Sequence, residues 1–309
     1  MEGFKNTNPP NSLPSGEVGD VKISGFTIVR NAIKYDYPIV EAITSILPLC
    51  DEVIVAVGAS EDETLELIRS IASPKIKIIE TVWDDTLREG GKVLADETNK
   101  AFAAVSKESD WAFYIQGDEV IHEKYLPVIK QAMEKFKVDK NVEGLLFNYT
   151  HFYGSYDYIG DSRHWYRREI RVIRNDKSIS SYLDAQGFRK NGKKLKVQHI
   201  DASVYHYGWV KPPETQQAKQ QTFNKLWHDD AWMKKNVANV DKFDYSQTDS
   251  VAIFRGTHPQ VMQSRIHKMN WKFSFDPTKK KLSLKVKLLM LIEKYTGWKI
   301  GEYKNYKIV

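Results

Sequence analysis

Apolar and amphipathic segments alternate along the first half of the chain. The apolar segments are rich in Val, Ile and aromatic residues, as is typical of strands buried in a parallel sheet. Between them, apolar residues recur at helical spacing, as Val40, Ile43 and Ile46 do. The pattern predicts strands at 22–29, 52–58, 75–81 and 111–116, and helices at 38–48, 64–71, 91–105 and 123–136. Four successive strand–helix units predict a doubly wound, mainly parallel α/β sheet with helices on both faces.

The pattern changes after Gly144. Strands are predicted at 143–154 and 168–175, two short strands at 194–209, and mostly helices from Pro212 onward. We therefore expect a flexible leader at 1–20, an α/β domain at 21–211, and a mainly helical extension with a basic tail at 212–309.

Composition and charge narrow the class of protein. The chain has 309 residues, 41% of them hydrophobic, and a formal net charge of +6. Residues 279–309 hold nine Lys and two Glu, a net of +7, so the remainder carries a net charge of −1. A neutral body disfavours nucleic-acid binding, and the basic tail indicates a membrane surface, an acidic partner or a solubility function. Cys50 is the single cysteine, which fits a reducing compartment. No secretory signal and no apolar run of about 20 residues is found, so we expect a cytoplasmic protein.

Polar loops follow the first, second and fourth predicted strands. In doubly wound sheets ligands bind outside the carboxyl ends of the strands, so these loops are expected at one ligand-binding edge. The loops contain Arg30 and Asn31, then Gly58 to Asp62, and then Gly117 to Glu119.

The loop after the fourth strand carries two adjacent carboxylates. Oxygen donors at such an edge suit Mg²⁺ or Mn²⁺, which keep positions open for substrate phosphates. Asp118 is the better candidate ligand, Glu119 is a second, and His206 is a candidate neutral ligand from a distant segment. The structural alternatives are a solvated turn that caps the next helix, and a histidine packed among aromatic residues.

Two further segments carry positive charge suited to phosphate. Two glycines precede Lys92 at a predicted helix start, with Asp96 one turn later, and helix N-termini favour anions. The segment 161–175 interleaves arginines, including Arg171, with aromatic residues, a mixture that suits phosphates and sugars. The alternatives are an ordinary glycine turn and an exposed basic strand face.

Taken in order, these segments resemble glycosyltransferase family 2, whose members have the GT-A fold. The resemblance covers residues 22–209. The segment YIQGDEV is similar to the D-x-D region, with Asp118 at its final acid and Gln116 at its first position. Asp62 matches the last acid of the loop after strand two, and VYHYGW resembles the late segment whose histidine reaches the metal or the phosphate. The chain departs from the family at Val57, where an Asp often contacts the nucleoside base.

The resemblance implies a divalent-metal-dependent, inverting enzyme with a nucleotide diphosphate sugar as donor. The acceptor is then a hydroxyl of a glycan or of a lipid-linked glycan, and nucleic acid is not a partner. The candidate metal ligands are Asp118, Glu119 and His206. Donor contacts fall to the residues Arg30, Asn31, Gly58, Asp62, Lys92, Asp96, Gln116, Gly117 and Arg171.

The catalytic base is the least defined of these assignments. The region equivalent to the family's base reads SYLDAQGFRKNG, in which Asp184 is the nearby acid. Asp157, Asp161 and Glu169 are the other candidates. Asp118 is assigned to catalysis through the metal and the leaving diphosphate.

Three alternatives stay open. The missing acids at Val57 and Gln116 would suit a degenerate, non-catalytic module that binds sugar nucleotide or glycan. A nucleotidyltransferase would share the same binding edge. Near the end of the chain, an amphipathic helix starting after Ser283 is predicted either to pack on the body or to lie on the inner face of an anionic membrane. Its apolar face consists of Leu284, Leu288, Leu291, Ile292 and Tyr295.

Overall fold

The structure is a computed structural model that describes residues 20–87, 89–228, 230–236 and 240–309. The predicted leader at 1–20 lies outside these residues, apart from Asp20. The strands among them are β1 (Ile23–Val29), β2 (Glu52–Gly58), β3 (Ile76–Thr81), β4 (Trp111–Tyr114), β5 (Glu119–Ile121), β6 (Gly144–Tyr153), β7 (Ser155–Gly160), β8 (Arg168–Arg174), β9 (Ile179–Tyr182), β10 (Gly187–Lys190), β11 (Lys193–Lys194), β12 (Lys196–Trp209), β13 (Val251–Ile253) and β14 (Lys307–Ile308). The helices are α1 (Ile39–Ile46), α2 (Thr64–Arg69), α3 (Lys92–Ala103), α4 (Leu126–Phe136), α5 (Pro213–Phe223), α6 (Asp230–Asn236), α7 (Gln263–His267) and α8 (Leu284–Thr296).

A parallel sheet forms the centre of the fold. Its strands follow the order β3, β2, β1, β4, all parallel, and β8 then joins β4 in the antiparallel sense. The sheet continues through β6 and β7, and β12 runs parallel to β6 while pairing with β5. This arrangement confirms the predicted mainly parallel α/β fold.

Helices cover the sheet on both faces. Alternate side chains of each strand point to opposite sides, so an apolar strand has side chains to bury on each face. In β2, Val53, Val55 and Val57 pack in the same cluster as α1 and α4, whereas Ile54 and Ala56 pack in the cluster of α3. Every residue of β2 is buried, which explains why its sequence is apolar from Val53 onward rather than alternating.

Three predicted elements differ from the structure. Residues 194–209 do not form two short strands but one long strand, β12, whose pairing with β6 shifts register between His199 and Ser203. The local irregularity interrupts the pattern without ending the strand. The helix expected at 123–136 begins only at Leu126, with a 3₁₀ turn before it and Pro127 in its first turn. The helix expected at 91–105 is shorter at both ends, because α3 runs from Lys92 to Ala103.

The residues after 211 join the same sheet through two short strands. β13 pairs with β7, and β14 pairs with β12. Short helices connect them, so the predicted helical extension is helical in part and also completes the sheet.

Helix α8 contacts the body through the half-buried side chains of Val286, Leu289, Met290, Ile292 and Glu293, and it also presents apolar side chains to solvent. Glu293 forms ion pairs with Arg163 and Arg167 of the segment before β8. The exposed fractions of Leu284 and Leu288 are 84% and 59%. Within the described residues, no helix has the length and apolar character needed to cross a bilayer.

Candidate functional site

A cavity of about 630 Å³ opens at the carboxyl ends of β1 and β4. This is the edge at which the sequence predicts a ligand, and the volume is typical of pockets for small molecules and cofactors. Loops after the strands, the β9–β10 hairpin and α5 surround it. Its lining includes Arg30, Asn31, Tyr35, Tyr37, Trp83, Tyr114, Gln116, Gly117, Asp118, Tyr166, Asp184, His206, Trp209, Lys219 and Trp227.

Asp118 lies at the floor of this cavity between two cationic or ionisable partners. Lys219 Nζ donates to Asp118 Oδ2 at 3.1 Å, and His206 Nε2 lies 3.7 Å from the same oxygen. Burial alone would raise the pKa of Asp118, but Lys219 and His206 outweigh it and hold the pKa well below its usual range. Asp118 is therefore a carboxylate at neutral pH.

Strand pairing places His206 against Asp118. The register sets His206 of β12 opposite Glu119 of β5 and beside His151 of β6. Gly208 leaves the space they occupy, because a Cβ atom there would lie 2.5 Å from His206 Nε2 and 2.6 Å from Asp118 Oδ2.

A chain of hydrogen bonds fixes the tautomer of His206. His151 Nε2 lies 2.9 Å from the carbonyl oxygen of Tyr166, which accepts only, so Nε2 carries the proton. Burial, reinforced by His206, keeps the pKa of His151 well below its usual range, so the ring is neutral and its Nδ1 accepts. His206 Nδ1, at 3.2 Å from His151 Nδ1, is then the donor. His206 Nε2, the ring nitrogen that this chain does not use, faces Asp118.

This donor set fits a divalent cation that takes its remaining ligands from a substrate. A carboxylate oxygen and an imidazole lone pair 3.7 Å apart can both face one ion, and Mg²⁺ or Mn²⁺ retains water and phosphate ligands. No cluster of three or more His, Cys, Asp or Glu side chains with metal-binding geometry occurs in the described part of the chain. Lys219 contacts the same oxygen, so a metal ion and the ammonium group compete for it.

Glu119 differs from the prediction that it ligates a metal. Its side chain and that of Arg171 are fully buried, and Arg171 Nε donates to Glu119 Oε2 at 2.7 Å. The backbone N–H of Gln116 donates to the same oxygen at 3.1 Å, and the Tyr149 hydroxyl donates to Oε1. Neither charged side chain lines the cavity. Arg171 is likewise corrected, since its charge is directed at Glu119 rather than at a ligand.

Four of the predicted donor-binding residues line the cavity. Arg30 and Asn31 follow β1, and Gln116 and Gly117 follow β4. Asn31 adopts a left-handed backbone conformation, with φ of 55°, and its Oδ1 accepts from the Glu61 N–H at 2.7 Å. The first loop of the sheet is thereby tied to the second.

The other predicted donor-binding residues lie elsewhere. Gly58 does not line the cavity, but a Cβ atom there would collide with Trp83, which does. Asp62 accepts from the backbone N–H of Lys34 at 2.7 Å and so holds the same two loops together.

The predicted helix start is also placed outside the cavity. Lys92 is an exposed residue of α3, and Asp96 pairs with Lys100 at 2.9 Å. Gly91 lies beneath the β9–β10 hairpin, since a Cβ atom there would lie 2.9 Å from Asp184 Cβ. The glycine pair thus makes room for the hairpin and does not line the cavity.

Asp184 is the one of the four candidate bases that lines the cavity. Burial raises its pKa, and its Oδ1 accepts from the Gln186 N–H at 3.3 Å. Asp157 faces Ser155, and Asp161 pairs with Lys280.

Sequence patterns did not single out Lys219. It lies on α5, which has no apolar stripe, and yet buries Gln216, Gln217 and Lys219. A helix with buried polar side chains is the signal that could have revealed it, because such groups are costly to bury without partners. Trp83 and Trp227 were missed for a simpler reason, since exposed and pocket-lining aromatic residues have the same sequence context.

Comparison with known proteins gives distant structural likenesses only. No protein-family model and no curated protein matches the chain. A crystal structure of S. aureus TarS 1–349 in complex with UDP is 15% identical, with a TM-score of 0.38, over 72% of this chain and 68% of that chain. For longer S. aureus TarS the identity is 16% and the TM-score 0.38, over 65% of this chain. The match covers 39% of the length of that TarS chain.

Two further likenesses are weaker. Glucosyl-3-phosphoglycerate synthase from Mycobacterium tuberculosis, in complex with Mn²⁺, UDP and glucosyl-3-phosphoglycerate, is 20% identical with a TM-score of 0.29, over 47% of this chain and 52% of that chain. The 4-diphosphocytidyl-2C-methyl-D-erythritol synthase from Anaerococcus prevotii is 10% identical with a TM-score of 0.32, over 50% and 72%. Likenesses this distant leave the activity of the chain to the residues of its site.

Proposed function

We propose that the chain is a glycosyltransferase that moves a sugar from a nucleotide diphosphate sugar to an acceptor hydroxyl of a glycan or a lipid-linked glycan. One observation carries the proposal. Asp118, His206 and Lys219 come from three separate elements and meet at the floor of one cavity at the ligand-binding edge of the sheet. A carboxylate, an imidazole and an ammonium group together suit a diphosphate and its counter-ion.

The donor would occupy the cavity of about 630 Å³. Trp83 offers a ring face beside Arg30, whose guanidinium lies 5.5 Å from the ring centroid, and this pair suits a nucleoside base. Asp118 and His206 would hold the divalent cation, which supplies Lewis-acid stabilisation of the departing diphosphate. Lys219 would donate hydrogen bonds to the same diphosphate and offset its growing negative charge.

Asp184 is the base in this proposal. The acceptor oxygen attacks the anomeric carbon, the bond from that carbon to the diphosphate oxygen breaks, and the acceptor proton passes to the Asp184 carboxylate. One direct displacement inverts the anomeric carbon. General base catalysis contributes roughly 10²–10⁴-fold to such a rate.

The test is a binding screen followed by a turnover assay. Thermal unfolding is measured with UDP, GDP, CDP and their sugar conjugates, each with Mn²⁺ and with EDTA. A ligand at 100 times its Kd stabilises the fold by about 2.7 kcal/mol, a readily visible shift. Transfer and donor hydrolysis are then followed for the wild type and for Asp184→Asn, with Asp157→Asn as a matched control outside the cavity.

We expect binding of one nucleotide class, and turnover that Asp184→Asn lowers and Asp157→Asn does not. Binding with no turnover on any acceptor pool would favour the alternative, a non-catalytic module. In that case Gln116, whose amide donates to the Ala185 carbonyl at 3.3 Å, would be a structural tie rather than part of a reacting site. The absence of binding to every nucleotide would contradict the proposal.

Peripheral contact with the inner face of an anionic membrane is a second part of the proposal. The exposed apolar face of α8 consists of Leu284, Leu288, Leu291 and Tyr295, and Trp298 follows it. Lys285, Lys287 and Lys294 are exposed on the same helix, which matches the negative charge of anionic lipids. Such a surface would bring a lipid-linked acceptor to the cavity.

Vesicle sedimentation tests this contact. The protein should sediment with phosphatidylserine-containing vesicles and not with phosphatidylcholine vesicles, and Leu288→Ser with Leu291→Ser should abolish it. Val138→Ser, an exposed apolar residue on the connection after α4, is the control. Sedimentation unchanged by the two α8 substitutions would contradict the idea.

A further inference from the structure

A second cavity, of about 390 Å³, lies beside the first. It is enclosed by the segment leading into β8 and by the segment between α8 and β14. Tyr166 and Gln186 line both cavities, so the two cavities adjoin at these side chains. Gln186 follows Asp184 by two residues, which places the proposed base at the boundary.

Four basic side chains line the second cavity, and two of them are neutralised. Arg167 makes a two-pronged ion pair with Glu302, with Nε–Oε1 and Nη2–Oε2 distances of 2.6 and 2.9 Å. Arg163 pairs with Glu293 at 2.5 Å. These pairs fasten α8 and the segment after it to the body, and they neutralise two of the four positive charges.

Arg168 and Lys299 have no such carboxylate partner. Among residues 20–87, 89–228, 230–236 and 240–309, neither of them forms an ion pair. Lys299 Nζ donates to the carbonyl oxygen of Trp165 at 2.9 Å. Burial lowers the pKa of Lys299, and the nearby Glu293 and Glu302 do not restore it. The unpaired guanidinium of Arg168, and Lys299 when it is protonated, therefore supply the positive charge of the second cavity.

Glu169 lies in the same cavity and does little to cancel that potential. Its side chain is 3% exposed, and burial raises its pKa to about 8, so it is mainly protonated near pH 7. A protonated carboxyl group can also donate a hydrogen bond. Trp165 and Tyr303 add ring faces, the kind of apolar surface against which the face of a sugar packs.

We propose that the second cavity is the acceptor subsite, and that Arg168 and Lys299 select an acceptor sugar that carries a phosphate or a carboxylate. The proposal rests on the proposed transferase function. An anion there forms charge-assisted hydrogen bonds with both cations in an enclosed setting. Its sugar ring then lies toward Tyr166 and Gln186, so that its hydroxyl reaches past them to Asp184 and the donor in the first cavity.

The experiment is a calorimetric titration of the full chain with glucose 6-phosphate, with glucuronate and with methyl glucoside. Each titration is run with UDP at saturating concentration, so that the donor cavity is filled and cannot take the sugar phosphate. The variants are Arg168→Gln and Lys299→Gln, and Lys304→Gln is the matched control, because Lys304 is an exposed cation of the same segment outside the cavity. Melting temperatures confirm that each variant is folded, and either cavity variant alone suffices for the comparison.

We expect the two anionic sugars to bind and methyl glucoside to bind at least about tenfold more weakly. Each cavity variant should lose about tenfold in affinity for an anionic sugar, as expected for one charged hydrogen bond, and Lys304→Gln should lose none. A preference for glucose 6-phosphate over glucuronate identifies a phosphate as the anion, and the reverse identifies a carboxylate. Equal binding of methyl glucoside, equal affinities in wild type and cavity variants, or no binding of either anion would overturn the proposal. Failure of UDP itself to bind is read separately in the UDP titration and bears on the transferase function.

Discussion

Asp118 and Glu119 are adjacent in sequence but are used in opposite ways. Asp118 faces a cavity, where Lys219 and His206 are near it and room remains for a ligand. Glu119 faces inward, where Arg171 and neighbouring donors occupy both of its oxygens. The Asp118 carboxylate can therefore still accept a ligand, whereas both oxygens of Glu119 are already hydrogen-bonded within the protein.

The buried Glu119–Arg171 pair supports the cavity-facing Asp118. Glu119 Oε2 accepts from the backbone N–H of Gln116, so the turn that carries Asp118 is held from behind by the buried ion pair. The buried ion pair thus fixes the position of the turn from which Asp118 projects into the cavity. Substitutions on the two sides should therefore affect different measurements.

The largest expected effect is on stability. Arg171→Met leaves the Glu119 carboxylate buried without its cation, and breaking a buried ion pair in this way costs about 3–5 kcal/mol of unfolding free energy. Urea denaturation at pH 7 measures it. Arg69→Met, which removes an exposed pair with Glu80, should change the unfolding free energy by no more than about 0.5 kcal/mol. Equal losses in the two variants would break the comparison.

Asp118→Asn should have the next largest effect, on turnover instead of stability. The carboxylate that faces the metal and the diphosphate is lost, so we expect the transfer rate to fall on the order of a hundredfold or more. Steady-state kinetics measure it, with circular dichroism as the check on folding. Asp96→Asn, on the outer side of α3, is the control and should match wild type. Unchanged turnover in Asp118→Asn across Mg²⁺ and Mn²⁺ would exclude this role for Asp118.

Lys219→Met should produce a smaller, two-sided change. Removal of the ammonium group weakens UDP binding in EDTA by about tenfold, the value of one charged hydrogen bond. It also frees Asp118 Oδ2, so the affinity for Mn²⁺ alone should rise. Calorimetry and the electron paramagnetic resonance signal of free Mn²⁺ measure the two quantities. Lower affinity for both ligands would show that Lys219 and the metal do not compete.

The smallest expected effect is the pH dependence of stability that Asp118 adds. Because its folded-state pKa lies below its unfolded value, the ionised acid stabilises the fold above the unfolded pKa. That contribution is lost as the pH falls through the depressed folded-state pKa. The difference in unfolding free energy between wild type and Asp118→Asn should shrink from pH 5 toward pH 2 in urea titrations. A difference that grows on acidification would contradict the assigned direction.

The sheet was predictable because its physical signal is local. The run of β2 is apolar from Val53 onward and rich in Val and Ile, a pattern typical of a strand buried on both faces. The sequence also places Asp118 after one predicted strand and His206 within another, whereas Asp184 was assigned from the family resemblance. β12 was harder, because register shifts interrupt its alternation.

The partners of those residues were not predictable, since they depend on distances across the fold. Nothing in the order Gly117, Asp118, Glu119 tells which carboxylate points outward. The β5–β12 register and the position of Arg171 on β8 decide it. Lys219 approaches from α5, about a hundred residues from Asp118 along the chain, and a polar helix gives no periodicity by which to orient it.

Gly208 is a position at which one added methyl group would disrupt the proposed site. Its φ is not positive, so its backbone conformation is one that residues other than glycine also adopt. A methyl group there would nevertheless occupy the gap between the imidazole of His206 and the carboxylate of Asp118. Gly208→Ala would part the two groups while leaving both present. We expect such a variant to be inactive although it retains every charged residue. It would be suited to trapping a bound donor and acceptor together.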